Sequence, residues 1–187
     1  MCKFLTGSAR IEQTEKRRIW KLLDNEIFKA DDSTLYLVPR NMQTDNYTIP
    51  MFASWIAGSP VDFDTRASHL NDFFCYFHRA IVINLTEKEL RNEGYLKYSD
   101  KNRMWVCEDI PVKFLKIVKI GKVKANNLFY KCMKASRIPL INRIILRLGT
   151  VFNIRWYIDS LFDEVLEFNL EEIYNEIYWE EKINARQ

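Results

Sequence analysis

The sequence is poor in the residues that punctuate loop-rich scaffolds, with five glycines and five prolines among 187 residues. That scarcity points to regular elements joined by short connections. No uninterrupted apolar run of about eighteen residues occurs, so no membrane-spanning helix is expected. The opening stretch, MCKFLTGSARIEQTEKRR, scatters its charge and holds no apolar block, so no secretory leader is expected. Four cysteines (Cys2, Cys75, Cys107, Cys132) stand far apart with no CxxC or CxH pairing, and two histidines, His69 and His78, complete a thin ligand set. Such spacing excludes the usual zinc-binding patterns and reads as reduced thiols in a cytoplasm. Glycine-rich phosphate loops, serine nucleophile elbows and HExxH are also missing. Neither a cofactor nor a metal is expected.

What is present is a foldable composition, 48% hydrophobic and 28% charged, with 14% aromatic residues. These proportions exclude a disordered chain and suffice for one ordinary core, so residues 1–187 are read as a single domain. The only candidate subdivision lies near Asp109. A net charge of +3 does not by itself imply nucleic-acid binding, but its distribution is uneven. Ile110 to Ile158 holds eleven basic residues and no acidic one, interleaved with Phe114, Phe129, Tyr130, Phe152, Trp156 and Tyr157. Asp159 to Glu181 then holds nine carboxylates and no Lys or Arg. This asymmetry points to a partner-binding surface or an internal electrostatic clasp.

Periodicity predicts a mainly helical fold, about seven helices with one β-hairpin. Ile11, Ile19, Leu22, Leu23 and Ile27 approximate one helical face, giving a first helix over Arg10–Lys29. Leu35–Val38 reads as a short strand closed by Pro39, and Asn41–Pro50 as a loop. Met51–Ala57 is too short to assign. Asp64 or Thr65 caps a long core helix to about Ile83 that carries Leu70, Phe73, Phe74, Phe77 and Ile81. Thr86 with Glu89 forms a capping box, and Gly94 ends that short helix. Tyr95–Tyr98 and Arg103–Cys107, joined by a polar turn, predict the hairpin. Asp109-Ile110-Pro111 then starts a helix to about Ile120, Ala125–Ser136 forms another, and Pro139 begins a third with Leu140, Ile141, Ile144, Ile145 and Leu148 as its apolar stripe. In that third helix Arg143 and Arg147 are placed on the side opposite the stripe. A further helix runs to about Glu167, and Asn169 with Glu172 caps the last one.

The short helix followed by the hairpin resembles the recognition helix and wing of a winged-helix domain, over Leu85–Glu108 only. That likeness implies contact with nucleic acid. Cys2 directly follows the initiator, as in class II glutamine amidotransferases and abasic-site-crosslinking proteins, although Lys3 stands where those families usually have glycine. Cys75 and His78, three apart, could form a reactive thiol pair, but core packing beside Phe73, Phe74 and Phe77 explains them as well. His69 and His78 are about 13 Å apart on a shared helix, too far for one metal ion. Asp62, Asp64, Glu87 and Glu89 could group as a nuclease-type Mg²⁺ site but lack a Glu-x-Lys element.

These observations lead to the expectation of a small, non-enzymatic, cytoplasmic binding protein that occupies a protein partner's surface. Glu171, Glu172, Glu176 and Glu180 of the acidic C-terminal helix, or the basic aromatic stretch, are the expected contacts. The alternative is nucleic-acid binding through Lys113, Lys116, Lys119, Lys122, Lys131, Lys134, Arg143 and Arg147. If Lys113–Lys122 is helical, a step of three residues makes those lysines spiral instead of lining up. Pro139–Ile158 could also lie on anionic lipid, though with few cations.

Overall fold

Five antiparallel strands form the sheet on which the described part of the molecule is built. A computed structural model describes residues 2–14, 20–44 and 65–151. In chain order the strands are β1 (Lys3–Phe4), β2 (Ile11–Gln13), β3 (Trp20–Leu22), β4 (Glu26–Lys29), β5 (Leu35–Val38), β6 (Gln43–Thr44), β7 (Arg79–Ile83), β8 (Leu96–Ser99), β9 (Met104–Cys107) and β10 (Leu115–Lys119). The helices are α1 (Arg66–Phe77), α2 (Glu87–Asn92), α3 (Lys122–Ala135) and α4 (Leu140–Val151), with a 3₁₀ turn at Val112–Phe114. The main sheet has the order β1-β4-β5-β7-β10, a second pairs β2-β3-β6, and β8-β9 is the hairpin.

The fold is therefore α+β, with ten strands in three antiparallel sheets and four helices among the described residues, not a mainly helical bundle of seven. The expected helix over Arg10–Lys29 is replaced by β2, β3 and β4 where it is described. Those strands are three or four residues long, too short to show a period of two. The long core helix stops at Phe77, and Arg79–Ile83 is a strand. His78 ends the helix in a left-handed conformation (φ 48°), with its N–H bonded to the Phe74 carbonyl. Histidine adopts that conformation more readily than most residues, so the helix ends without the glycine common at such positions. The β-branched run Ile81-Val82-Ile83 then favours a strand. The helix expected after Pro111 is also a strand, β10, whose Leu115–Lys119 pair with Ile83–Arg79 across the Asp109 junction.

Both faces of the main sheet are covered. Opposed residues share a face, so Glu26, Phe28, Tyr36, Val38 and Ala80 lie on one side, and Ile27, Leu35, Leu37, Ile81 and Ile83 on the other. On the first side α1 packs against β5 and β7 and also against α3, with Phe74 edge-on to Tyr36 at 5.9 Å between ring centres. The second side meets the α2–hairpin layer: Glu87 of α2 takes Lys3 at 2.9 Å and Lys29 at 3.0 Å, and β9 packs against β4. β5 is the strand expected at Leu35–Val38, with all four residues buried; burial on both sides removes the apolar–polar alternation from such strands.

The capping box forms as expected, with the Glu89 N–H donating to Thr86 Oγ1 and the Thr86 N–H to Glu89 Oε2. The hairpin is also present, in register Leu96↔Cys107 through Ser99↔Met104. The winged-helix likeness extends no further, because strand β7 precedes α2 where that fold has a helix.

Candidate interaction surface

α3 and α4 form a helical hairpin whose turn is closed by side-chain and backbone chemistry. The Ile138 N–H bonds to the Met133 carbonyl and the Arg137 N–H to the Lys134 carbonyl, the paired bonds of a Schellman motif. Arg137 holds the left-handed position (φ 57°) usually given to glycine, and Ile138 is buried beneath it. α4 then runs back against α3, presenting Asn142 and Leu146 to the interior.

The other side of α4 is apolar and exposed. Relative exposures are 56% for Leu140, 59% for Ile141, 43% for Ile144 and 51% for Leu148. At about 100° per residue these four span an arc of roughly 100°, one stripe about 12 Å long. Arg147 falls roughly 20° beyond the edge of that arc and Arg143 roughly 60° beyond. The arginines therefore border the stripe instead of lying opposite it. Both guanidinium groups stack on Tyr130 of α3, at 5.5 Å for Arg143 and 5.0 Å for Arg147, and Arg147 Nη2 donates to Asn127 Oδ1 at 3.3 Å. Tyr130 thus fixes two cations along one border.

The remaining basic residues do not share that surface. Lys113 lies in the 3₁₀ turn, over the Phe114 ring at 4.9 Å. Lys116 and Lys119 are exposed on β10, an outer strand of the main sheet, and three residues apart in a strand they point to opposite faces. Charged side chains in that position protect a sheet edge from further pairing. Lys122 and Lys134 stand at opposite ends of α3. Lys131 pairs with Asp31 at 3.1 Å. Glu171, Glu172, Glu176 and Glu180 lie outside the described residues, as do Met51–Ala57, Asp62 and Asp64.

The other chemical candidates are held in structural roles. Glu87 accepts from Lys3, Lys29 and Arg91; burial works against its charge, but these three donors prevail and hold its carboxyl down to about 2. Cys2 lies beside Asp31, and burial followed by that carboxylate pushes its thiol up, which opposes a role as nucleophile. Cys107 is pushed up to about 12 by burial and then by Asp109 and Glu108. Cys75 donates to Asn71 Oδ1 at 3.7 Å on α1. Among the described residues no group of three or more His, Cys, Asp or Glu could hold a metal ion. No described helix is long and apolar enough to cross a membrane.

One polar constellation has no local signature in the sequence. His69 is fully buried in α1, and its Nδ1 lies 2.9 Å from Oε1 of buried Glu26 on β4. One turn along α1, Asp72 accepts from Thr44 Oγ1 of β6 at 2.5 Å. The two contacts fasten α1 to two different sheets. The partners are distant in sequence, so only tertiary structure brings them together.

A cleft of about 680 Å³ lies between the Asp31–Asp32 turn and α3, where Lys122, Lys124 and Lys131 line it together with the two aspartates. Its charges oppose and largely cancel. The exposed stripe of α4 is the more distinctive feature. Comparison with protein-family models, curated proteins and solved structures finds no match for this chain.

Proposed function

We propose that the protein is a non-enzymatic binding module that occupies a protein partner's surface through the outer face of α4. The observation that carries this reading is the exposure of Leu140, Ile141, Ile144 and Leu148 as one continuous stripe. Scattered apolar residues on a surface need no explanation, but four on one helical face are what a protein interface buries. Helix packing against a partner would remove this stripe from water, as α1's apolar face is removed by the sheet.

Affinity capture with the tagged protein, with and without nuclease, tests the reading against an Ile144→Asp/Leu148→Asp variant. A stoichiometric protein that survives nuclease and is lost with the variant supports it. Recovery of nucleic acid, unaffected by the variant but lost on Lys116→Glu/Lys119→Glu, would move the function to the β10 edge. A partner retained by the variant would place the interface away from α4.

A further inference from the structure

We infer that the partner segment docking on α4 is an acidic amphipathic helix, its apolar side on the stripe and its carboxylates along the Arg143–Arg147 border. This rests on the proposed binding role of α4 and adds the chemistry of what binds there. The stripe covers two helical turns, Leu140 to Leu148, which matches the i, i+3, i+4, i+7 face of a second helix. Charge selects among possible occupants. From Ile110 to Val151 the chain has no carboxylate, and the adjoining turn adds exposed Lys134 and Arg137.

The arrangement of the cations separates a protein helix from the other occupants. A helix that lies on anionic lipid carries cations along both edges of its apolar face, from which they reach the headgroups. Here they occupy one edge, and the other is bounded by half-buried Ile145. Two copies of α4 packed antiparallel about a twofold axis would set their arginine borders side by side, like charges together. A carboxylate-bearing helix meets neither difficulty. The guanidinium planes are already positioned by Tyr130, and a planar fork held in place favours carboxylates over a diffuse anionic surface.

The test uses the full chain and a labelled designed peptide with leucines at i, i+3, i+4 and i+7 and glutamates along one border. A counterpart with lysines in place of the glutamates and vesicles of anionic phospholipid serve as the other probes. Fluorescence anisotropy should show the acidic peptide binding at least tenfold tighter than the basic one. Arg143→Glu/Arg147→Glu, with an unchanged circular-dichroism spectrum, should reverse that order, and added salt should narrow it. Equal binding of both peptides, or none by the acidic one at low salt, would overturn the inference. So would binding to vesicles without binding to peptide, or a concentration-dependent dimer that excludes the peptide. If Ile144→Asp/Leu148→Asp releases the natural partner while the peptides show no charge preference, only this inference falls. If the variant releases nothing, the binding role of α4 falls with it.

Discussion

Helices α1 and α4 have the same length, twelve residues, and both carry apolar side chains at helical spacing, yet they meet different surroundings. Leu70, Phe73, Phe74 and Phe77 of α1 are buried against the sheet and α3, whereas Leu140, Ile141, Ile144 and Leu148 of α4 are exposed. α1 is also fixed by polar contacts, Glu26–His69 and Thr44–Asp72, that reach strands of two sheets. Among the described residues α4 packs chiefly on α3. Amphipathicity alone therefore does not say what a helix packs against. The neighbours that cover an apolar face separate an internal helix from one that offers that face to a partner.

Removing α1's core contacts should produce the largest loss. Phe74→Ala empties a space bounded by Tyr36 and should cost about 4 kcal/mol in urea unfolding. A value below about 1 kcal/mol would mean that α1 is not the core helix.

His69→Ala comes next, because it leaves the Glu26 carboxyl buried without its ring partner; Oε2 of Glu26 already has no hydrogen-bond partner among the described residues. The expected loss is about 3 kcal/mol. The double variant His69→Ala/Glu26→Gln should recover part of it, and no recovery would show that the ring acts only by filling space.

On the far face of the sheet, Glu87→Gln should cost about 2 kcal/mol at neutral pH, since it weakens the tie among Lys3, Lys29 and Arg91. The folded carboxyl lies at about 2, below its ordinary 4.5. Its contribution is therefore complete above pH 4.5 and is lost as pH falls toward 2. The wild-type and Glu87→Gln stability curves should converge across that window. Curves that stay parallel would contradict the assignment.

The hairpin turn offers a smaller effect of opposite sign. Arg137→Gly relieves a left-handed arginine and should stabilise by about 1 kcal/mol. A loss of stability would show that the Arg137 side chain contributes more than its backbone costs.

What the sequence discloses follows the same division between local and non-local information. The Thr86–Glu89 capping box and the Leu96–Cys107 hairpin are legible because their determinants lie within a few residues of each other. α3 and α4 are legible for the same reason, bounded by Gly121 and Pro139. The main sheet is legible only at β5, where the apolar run Leu35–Val38 ends at Pro39 as the sequence predicts. β4 and β7 pair across helices and turns, and their short, largely buried runs carry no period. Nothing near His69 marks Glu26, 43 residues away, as its partner. The interaction surface is half legible. Leu140, Ile141, Ile144 and Leu148 are recognisable as a stripe, but whether a stripe faces the core or water depends on neighbours the sequence does not name. Tyr130's hold on Arg143 and Arg147 likewise arises only when α3 and α4 fold together.

Thermal unfolding of Ile144→Asp/Leu148→Asp tests the central claim most directly, because a stripe that meets only water tolerates charge and a buried one does not. The account predicts a Tm within about 2 °C of the parent, equivalent to roughly 0.5 kcal/mol. A fall of about 10 °C or more would show that these side chains belong to the core and that α4 presents no binding face.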